Sequence, residues 1–330
     1  APMTTVEPQS VSANIPIIDF AFFLTGSSND RQQVAQEIFQ ACHQVGFLYL
    51  KNHGIPQTAI VQAFEQLHTF FGLPLAEKQR LAWSSAHSNQ GYVGIEQECL
   101  DEAQPGDLKE AFNLTKEFSL IDSTIDWWPA NCPLFHQTFG EFFALCSATA
   151  GQIFRAFACA LALPDDYLIK RHQTNDYTLR LLHYPPLNPP LSIVPAPGQL
   201  RAGAHSDYGS LTLLFQDSAG GLGIQRASGD WKTEPVVCDN ILIDIGDLME
   251  RWTNGVFRST RHRVRLPQGV QAHDNSTSLG PGRNSIAFFC QPDANVDIVC
   301  LPTCSNDQNP PKYPPVKSGD YLLSRLRATH

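Results

Sequence analysis

Three side chains of the kinds that bind metals, spread over the C-terminal half, constrain the fold of this 330-residue chain most strongly. His205 and Asp207 have the i, i+2 spacing that places two side chains on one face of a strand, and His262 follows much later. Two imidazoles and one carboxylate suit a non-haem iron(II) centre, because they fill one face of an octahedron and leave the other positions open. The fold must therefore bring distant strands together at one interior site.

A second motif, Arg283 and Ser285, begins an apolar run that continues to Phe289. In a strand the two side chains share one face, and a buried arginine is costly unless it meets an anion. Its planar fork can hold a carboxylate in two parallel hydrogen bonds, and the serine hydroxyl can add a third. The anion that accompanies an iron centre of this kind is 2-oxoglutarate.

Neither motif is specific alone, since isolated His-x-Asp sequences are common and most surface histidines bind nothing. In this order, however, the residues resemble the isopenicillin N synthase-like family of iron(II)- and 2-oxoglutarate-dependent oxygenases, in its bacterial and fungal branch. The resemblance extends nearly end to end, through residues 15–20, 45–56, 180–186, 246–255 and 313–323.

The chain also departs from the pattern of this family. Arg283 lies farther beyond His262 than the family usually places its arginine, and residues 271–282 between them are rich in turn formers. We interpret 271–282 as a surface insertion that leaves the register of Arg283 intact. Asp244 stands where asparagine is frequent, and the sequence suggests no function for it.

The pattern of short strands separated by turns from Tyr177 onward favours a barrel or a double-sheet jelly roll. The resemblance implies a double-stranded β-helix, so we predict a mainly β fold with flanking helices. Residues 1–120 should form a helical and strand-containing region that packs on the catalytic jelly-roll core at 121–330, within one structural unit. A long helix at 135–163 should support that core, and the polar segment 84–109 is expected to be a flexible rim.

The resemblance also implies roles for individual residues. His205, Asp207 and His262 would hold Fe(II), while Arg283 and Ser285 would bind the far carboxylate of 2-oxoglutarate. The other predicted site residues are Tyr184 and Arg180, on one face of a strand toward the co-substrate or substrate, and Tyr92, Phe112 and Phe289 on the substrate wall. For Arg180 a structural ion pair is the alternative interpretation. Further wall segments are expected at 90–93, 110–113 and 321–326.

The expected activity is hydroxylation, or another oxidation, of an unactivated C–H bond in a small organic metabolite. The reaction would use O2 and 2-oxoglutarate and release succinate and CO2. Two alternatives stay open at this point: an oxidase of the same family that does not consume 2-oxoglutarate, and a non-catalytic protein that binds a small molecule.

Composition limits the possible partners and the compartment. A net charge of −9 without a basic run argues against nucleic acid and against an anionic membrane surface. Nine scattered cysteines without a CxxC pair predict reduced thiols in the cytoplasm, and the N-terminal residues do not resemble a signal peptide. We expect a monomer.

Overall fold

The computed structural model describes residues 15–116, 129–187, 195–267 and 282–329. Most of the predicted insertion at 271–282 lies outside these ranges. The statements below concern the described residues.

Seven helices flank the sheets in the described ranges: α1 (Ala21–Thr25), α2 (Ser28–Gln44), α3 (Gln57–Phe71), α4 (Leu75–Gln79), α5 (Phe135–Ala160), α6 (Asp247–Trp252) and α7 (Ser318–Thr329). Helix α2 begins with a capping box, in which the side chains of Ser27 and Asp30 each accept a hydrogen bond from the other's backbone N–H. This cap satisfies two amide groups that would otherwise lack partners at the start of the helix.

Helix α5 confirms the predicted long supporting helix. By length and apolar composition alone it could cross a membrane, but half of its most apolar window is buried inside the protein. Phe142 and Phe143 pack edge-on against Phe215 and Phe288 of the large sheet, each with ring centroids 5.1 Å apart. The aromatic rings thus join the helix to the sheet in one apolar core.

The large sheet has eight strands: β1 (Ile17–Asp19), β2 (Phe47–Lys51), β3 (Gly91–Val93), β4 (Glu110–Thr115), β5 (Thr178–Tyr184), β7 (Leu211–Gln216), β10 (Ile241–Ile245) and β12 (Arg283–Cys290). Their order across the sheet is β1-β2-β10-β7-β12-β5-β4-β3, and only β1 and β2 are parallel. Four of these strands come from residues 1–120, so that region is hydrogen-bonded into the same sheet as the C-terminal strands.

The strands of a second, four-stranded sheet are β6 (Ala202–His205), β8 (Leu222–Gln225), β9 (Trp231–Thr233) and β11 (His262–Val264). They lie in the order β6-β11-β8-β9. A short pair of strands, β13 (Asp297–Ile298) and β14 (Val316–Lys317), lies near α7. Two sheets with flanking helices confirm the predicted fold class.

The segment 84–109, expected from its polar composition to be a flexible rim, contributes Asn89, Glu98, Leu100 and Lys109 to the lining of a cavity between the sheets. Glu98, Asp107 and Lys109 are each less than 5% exposed. The Leu108 amide donates a 3.1 Å hydrogen bond to the Leu200 carbonyl, just before β6. Buried ion pairs and a backbone hydrogen bond therefore join the part of this segment from Glu98 to Lys109 to the two sheets.

Side chains alternate strictly between the two faces of the large sheet. In β5, β7 and β12 every second side chain joins the core beneath the helices, and the side chains between them face the second sheet. The helix-facing members are Leu179, Leu181, Leu211, Leu213, Phe215, Ile286, Phe288 and Cys290. The opposite face borders a cavity.

Candidate metal centre and co-substrate cavity

The three predicted metal ligands converge at one end of this cavity. His205 is the last residue of β6 and pairs directly with His262, the first residue of β11, while Asp207 lies just beyond the end of β6. Asp207 Oδ1 is 3.7 Å from His205 Nε2 and 3.4 Å from His262 Nε2. One ligand atom from each residue lies within 4.8 Å of the others, close enough to share a single ion.

Hydrogen bonds orient each ligand toward this shared point. His205 donates from Nδ1 to the Gly203 carbonyl at 2.7 Å, and His262 donates from Nδ1 to the Thr260 carbonyl at 3.2 Å. Both Nε2 atoms are thereby left as acceptors for a metal. Asp207 Oδ2 accepts a 2.5 Å hydrogen bond from Thr212 Oγ1, which leaves Oδ1 facing the histidines.

The electrostatics of His205 and Asp207 fit a divalent cation. Burial and the neighbouring His262 lower the pKa of His205 to about 3, so its imidazole is neutral at physiological pH. Burial opposes ionisation of Asp207, but the two histidines outweigh it and hold the pKa of this carboxyl below its ordinary value. A neutral imidazole and an ionised carboxylate are the forms in which these side chains bind metals. Burial lowers the pKa of His262, but Asp207 outweighs burial and raises that pKa above its ordinary value, so a metal would displace a proton from this imidazole.

Asp244 lies behind His262 in the structure. Its Oδ2 is 3.5 Å from His262 Nδ1, and neither carboxylate oxygen has a hydrogen-bond partner among the described residues. Burial, and then the charge of Asp207, raise the pKa of Asp244 well above its ordinary value. Nothing in the local sequence explained an aspartate here, and the structure places it against a metal ligand.

Arg283 and Ser285 also line the cavity, on strand β12. Arg283 is 1% exposed, its guanidinium lies 4.9 Å from the centre of the Tyr184 ring, and it donates to Ser285 Oγ at 3.3 Å. It also donates to Gln216 Oε1 at 3.0 Å, but it pairs with no carboxylate among the described residues, and its Nε has no partner there. A buried cation with only neutral partners is expected to receive an anion.

Most of the other predicted residues reach the cavity, but two do not. Arg180, Tyr184 and Phe289 line it, together with Leu322 and Leu326 from α7 within the predicted 321–326 segment. Arg180 also donates to Glu98 Oε2 at 2.7 Å, so the ion pair that we considered as an alternative exists beside its position on the wall.

Tyr92 and Phe112 were wrongly placed on the substrate wall. They pair with each other across β3 and β4, and Phe112 pairs with Leu181 of β5, whose side chain faces the helices. Both rings therefore join the core: Phe112 packs 4.6 Å from Phe70, and the Tyr92 hydroxyl donates to buried Glu110. An error of one residue in a strand exchanges its faces, and it is the adjacent Asn113 that lines the cavity.

Several wall residues were missed by the sequence analysis. They are Asn89, Glu98, Lys109, Tyr208 and Thr212, whereas Asn113 belongs to the predicted wall segment 110–113. Thr212 could have been found from the alternation in β7, in which Thr212, Leu214 and Gln216 share a face. Tyr208 follows the His205-Ser206-Asp207 motif directly. Nothing local marked Glu98 or Lys109, because their burial depends on contacts made far along the chain.

Comparison with known proteins gives this geometry its context. The profile of the 2OG-Fe(II) oxygenase superfamily matches residues 175–292, and that of the non-haem dioxygenase in morphine synthesis N-terminal region matches residues 15–135. Proline hydroxylase buaE of Petromyces alliaceus is 31% identical over 95% of this chain and 98% of its own length. The chain belongs to the 2OG-Fe(II) oxygenase superfamily.

Other relatives agree in sequence and in structure. A 2-oxoglutarate-dependent dioxygenase, frbA of Dothideomycetidae sp., is 30% identical over 96% of this chain and 97% of its own. A full-length Neurospora crassa protein, solved in complex with alpha-KG, which is 2-oxoglutarate, superimposes with a TM-score of 0.84 at 32% identity, covering 95% of this chain and 96% of its own. The same Neurospora crassa protein in complex with alpha-KG and thymine gives a TM-score of 0.83 at 32% identity.

This chain is therefore a 2-oxoglutarate-dependent Fe(II) dioxygenase that acts on small metabolites. The expectation from the sequence is confirmed for family, fold, reaction class and cofactors. The two alternatives, an oxidase without 2-oxoglutarate and a non-catalytic binding protein, receive no support from these comparisons.

Proposed function

We propose that this dioxygenase hydroxylates a C–H bond of a neutral, planar heterocycle of the nucleobase type, and that succinate and CO2 are released. The observation that carries the proposal is the composition of the cavity wall beside the metal ligands. Aromatic side chains, Phe289 and Tyr208, occur there together with the amides of Asn89 and Asn113. Aromatic faces suit a flat ring, and amides suit its polar edge.

The charges of the wall favour a substrate without net charge. Glu98 lies 2.7 Å from Arg180 and 2.9 Å from Lys109, so these two cations are already paired, and the third cation of the cavity, Arg283, is the one proposed to bind 2-oxoglutarate. A free amino acid needs charged partners for its carboxylate and its ammonium group, and binding one here would break existing buried pairs. Breaking such pairs costs several kcal/mol, roughly 3–5 when one partner is removed.

The amides have fixed orientations, which adds specificity. The Trp83 indole can only donate, and it donates to Asn89 Oδ1 at 3.2 Å. Asn113 donates from Nδ2 to the same oxygen at 3.1 Å, and Asn89 donates from Nδ2 to Thr178 Oγ1 at 3.3 Å. Such a preorganised polar edge can select one orientation of a heterocycle through its hydrogen-bonding pattern.

Arg283 and Ser285 are proposed to bind the far carboxylate of 2-oxoglutarate, with Tyr184 stacked against the guanidinium. The proposal is supported by the burial of Arg283 and by the lack of a carboxylate partner among the described residues. His205, Asp207 and His262 would hold the iron at the other end. When bound, iron and 2-oxoglutarate supply the oxidation, in which one oxygen atom of O2 enters succinate and the other enters the substrate.

Relatives support more than one substrate class. The Neurospora crassa protein, at 32% identity, has been crystallised with thymine and with 5-formyluracil. Proline hydroxylase buaE, at 31% identity, carries an amino acid in its name. Sequence identity does not separate the nucleobase class from the amino-acid class. We favour the heterocycle because the charges of Glu98, Arg180 and Lys109 are already paired.

The test compares thymine with free proline as substrates for the iron-loaded protein. Anaerobic addition of Fe(II) and 2-oxoglutarate should first produce a weak visible charge-transfer band, which reports that the co-substrate is bound to the metal. Oxygen is then admitted with thymine, with proline or with neither. Succinate and the mass of the organic product are measured in each sample.

Formation of succinate with an equal amount of a thymine product heavier by one oxygen atom supports the proposal. Asn113→Leu should then raise the KM for thymine while the charge-transfer band is retained. Coupled turnover of proline but not of thymine would show that the substrate class is wrong and the reaction right. A normal band with neither coupled turnover nor binding of thymine would also reject the nucleobase class.

We also propose the cytoplasm as the compartment. Iron must stay ferrous for this chemistry, and all nine cysteines are free thiols in the structure. A reducing environment suits both.

A further inference from the structure

Four charged side chains form a continuous buried network between the cavity wall and strand β6. Arg180 is paired with Glu98 at 2.7 Å, and Glu98 is paired with Lys109 at 2.9 Å. Lys109 also donates to Asp107 Oδ2, and the side chains of Glu98, Asp107 and Lys109 are each 3% exposed. The two carboxylates balance the two cations, so the network is neutral as a whole.

The network ends at a metal ligand. Asp107 Oδ1 accepts a 2.8 Å hydrogen bond from the backbone N–H of Gly203, in the middle of β6. The carbonyl of the same glycine accepts the Nδ1–H of His205 at 2.7 Å. Gly203 therefore contacts Asp107 through its N–H and His205 through its carbonyl, so the position of Asp107 affects the orientation and the tautomer of His205.

The backbone at Gly203 is closely packed against neighbouring residues. A Cβ atom there would lie 2.9 Å from the Asp101 amide nitrogen and 3.2 Å from Asp107 Oδ1. The backbone of the segment around residue 101 thus lies directly against β6, and only glycine fits without displacement. A shift of Asp107 would be transmitted to the strand that carries His205.

Stability alone does not explain such a network. Burying charges costs free energy that their mutual attraction often fails to recover, so buried ion pairs are weak evidence for stability. A second buried ion pair, in which Lys78 Nζ lies 2.9 Å from Glu110 Oε2, serves as a comparison. That pair does not line the cavity and is hydrogen-bonded to Tyr92 and to the Phe71 carbonyl in the core.

We propose that Asp107 is a positioning residue for the iron centre. Lys109 and Glu98 connect Asp107 to Arg180 on the substrate wall and hold that arginine in place. Asp107 holds Gly203, and Gly203 holds His205 in the tautomer whose Nε2 faces the metal. Only the part that concerns Arg180 and the substrate rests on the proposed function. The part that concerns iron stands independently of the substrate class.

The test measures Fe(II) affinity without turnover. The protein is titrated with Fe(II) under anaerobic conditions at saturating 2-oxoglutarate, and the visible charge-transfer band is followed. Asp107→Ala removes the acceptor for the Gly203 N–H and should weaken Fe(II) binding about 10- to 100-fold, as loss of an outer-sphere partner of a metal-bound histidine typically does. Asp107→Asn keeps an oxygen for Gly203 but turns an NH2 group toward Lys109, so it should recover part of this affinity.

Glu110→Ala is the matched control, because it also deprives a buried lysine of a carboxylate but lies away from the cavity. Both alanine variants should lower the free energy of unfolding, whereas only Asp107→Ala should weaken Fe(II) binding. The proposal fails if Asp107→Ala binds Fe(II) like the wild type, or if Glu110→Ala weakens binding equally. It also fails if Asp107→Asn is as weak as Asp107→Ala.

A second readout applies if Asp107→Ala does not fold. Lys109→Met replaces the central cation with a chain of similar volume and leaves Glu98 and Asp107 with Arg180 as the remaining cation of the network. It should raise the KM for substrate at least about tenfold, the change expected for roughly 1.4 kcal/mol, with the affinity for 2-oxoglutarate unchanged. An unchanged KM would overturn the extension to Arg180. Because the Fe(II) titration uses no substrate, failure of the nucleobase assignment would leave its result intact.

Discussion

The two faces of the eight-stranded sheet are made from the same strands but differ in the side chains that they carry and in what those side chains contact. On the helix side, Phe288 and its alternate neighbours in β12 form a buried apolar core with α5. On the other side, Arg283, Ser285 and Phe289 border the cavity with the metal ligands at one end. Adjacent residues of one strand therefore serve stability and function separately.

This difference shows how a site with buried charges can be tolerated. The helix side supplies most of the apolar burial, roughly 1.5–3 kcal/mol for each fully buried large side chain. The cavity side carries groups that are costly to bury, among them Arg283 and the network from Arg180 to Asp107. Substitutions on the helix side should accordingly lower the free energy of unfolding, whereas substitutions on the cavity side should weaken the binding of metal, co-substrate or substrate. The following predictions test this.

The largest effect is expected for Asp207→Ala, which removes the carboxylate ligand. Fe(II) binding and turnover should be abolished, a loss greater than the roughly 100-fold that an outer-sphere partner costs. Folding should persist, since the backbone contact from the Asp247 amide to the Asp207 carbonyl does not need the side chain. Anaerobic Fe(II) titration and urea unfolding measure both quantities.

Asp293→Ala is the matched control on a carboxylate of similar burial. Asp293 is 8% exposed, compared with 7% for Asp207, and accepts hydrogen bonds from the backbone of Gln173 and Thr174. It should lower the free energy of unfolding by about 1–3 kcal/mol and leave Fe(II) affinity unchanged. Fe(II) binding by Asp207→Ala at wild-type affinity would remove this residue from the metal site.

Among the remaining cavity residues, the largest effect on ligand binding is expected for Arg283→Gln. Loss of the buried cation should weaken 2-oxoglutarate binding by about 2–5 kcal/mol, which is roughly 30-fold or more. Fe(II) should still bind, because the three ligands are untouched. Arg283→Lys should be intermediate, since an ammonium keeps the charge but loses the planar fork. The dissociation constant for 2-oxoglutarate, read from the charge-transfer band, provides the measurement; an unchanged value would place the carboxylate elsewhere.

Phe288 and Phe289 offer a direct comparison of the two faces at neighbouring positions. Phe288→Ala should lower the free energy of unfolding by about 3–5 kcal/mol, because it opens a cavity beside Phe143 and Tyr177. Phe289→Ala should cost less stability and should instead raise the KM for substrate. Urea unfolding and steady-state kinetics on both variants check this, and equal stability losses with equal KM values would contradict the division between faces.

The smallest effect is expected from the pH dependence of His172, an imidazole on the helix side stacked on Phe154 with ring centroids 4.0 Å apart. Burial lowers the pKa of His172 to about 4, whereas the ordinary value is 6.5. As the pH falls, His172 of the unfolded chain therefore binds a proton before His172 of the folded chain does. The contribution of neutral His172 to the free energy of unfolding is present above pH 6.5 and is lost toward pH 4. Over this window the free energy of unfolding should fall by up to about 3 kcal/mol. His172→Gln should show a shallower pH dependence in chemical unfolding, and parallel curves would speak against the assignment.

Much of this protein could be predicted from its sequence because the informative patterns are local. The Arg283-x-Ser285 pair and the helical periodicity of 135–163 each depend on backbone geometry that a few residues define, whereas His205 and Asp207 lie close together although the strand ends at His205. Alternation in β5 also placed Arg180 and Tyr184 on the cavity face correctly. The resemblance to a known family then joined these local motifs into one fold.

The predictions that failed depend on which strand pairs with which. Tyr92 and Phe112 face the core because the register of β3 and β4 against β5 aligns them with Leu181, and no local pattern determines that register. The polar composition of 84–109 also did not indicate that Glu98 and Asp107 have buried partners on β5 and β6.

The sequence by itself determined the donor set and the alternation of faces, because each follows from residue chemistry and short spacing, and its resemblance to a known family implied the reaction class. Only the tertiary structure decided which residues line the cavity and form the network from Arg180 to His205, since the same local sequence allows a polar residue to lie in water or to be buried with a partner. Long-range pairing makes that choice, as it did when it buried Glu98, Asp107 and Lys109 beside strands from the other half of the chain.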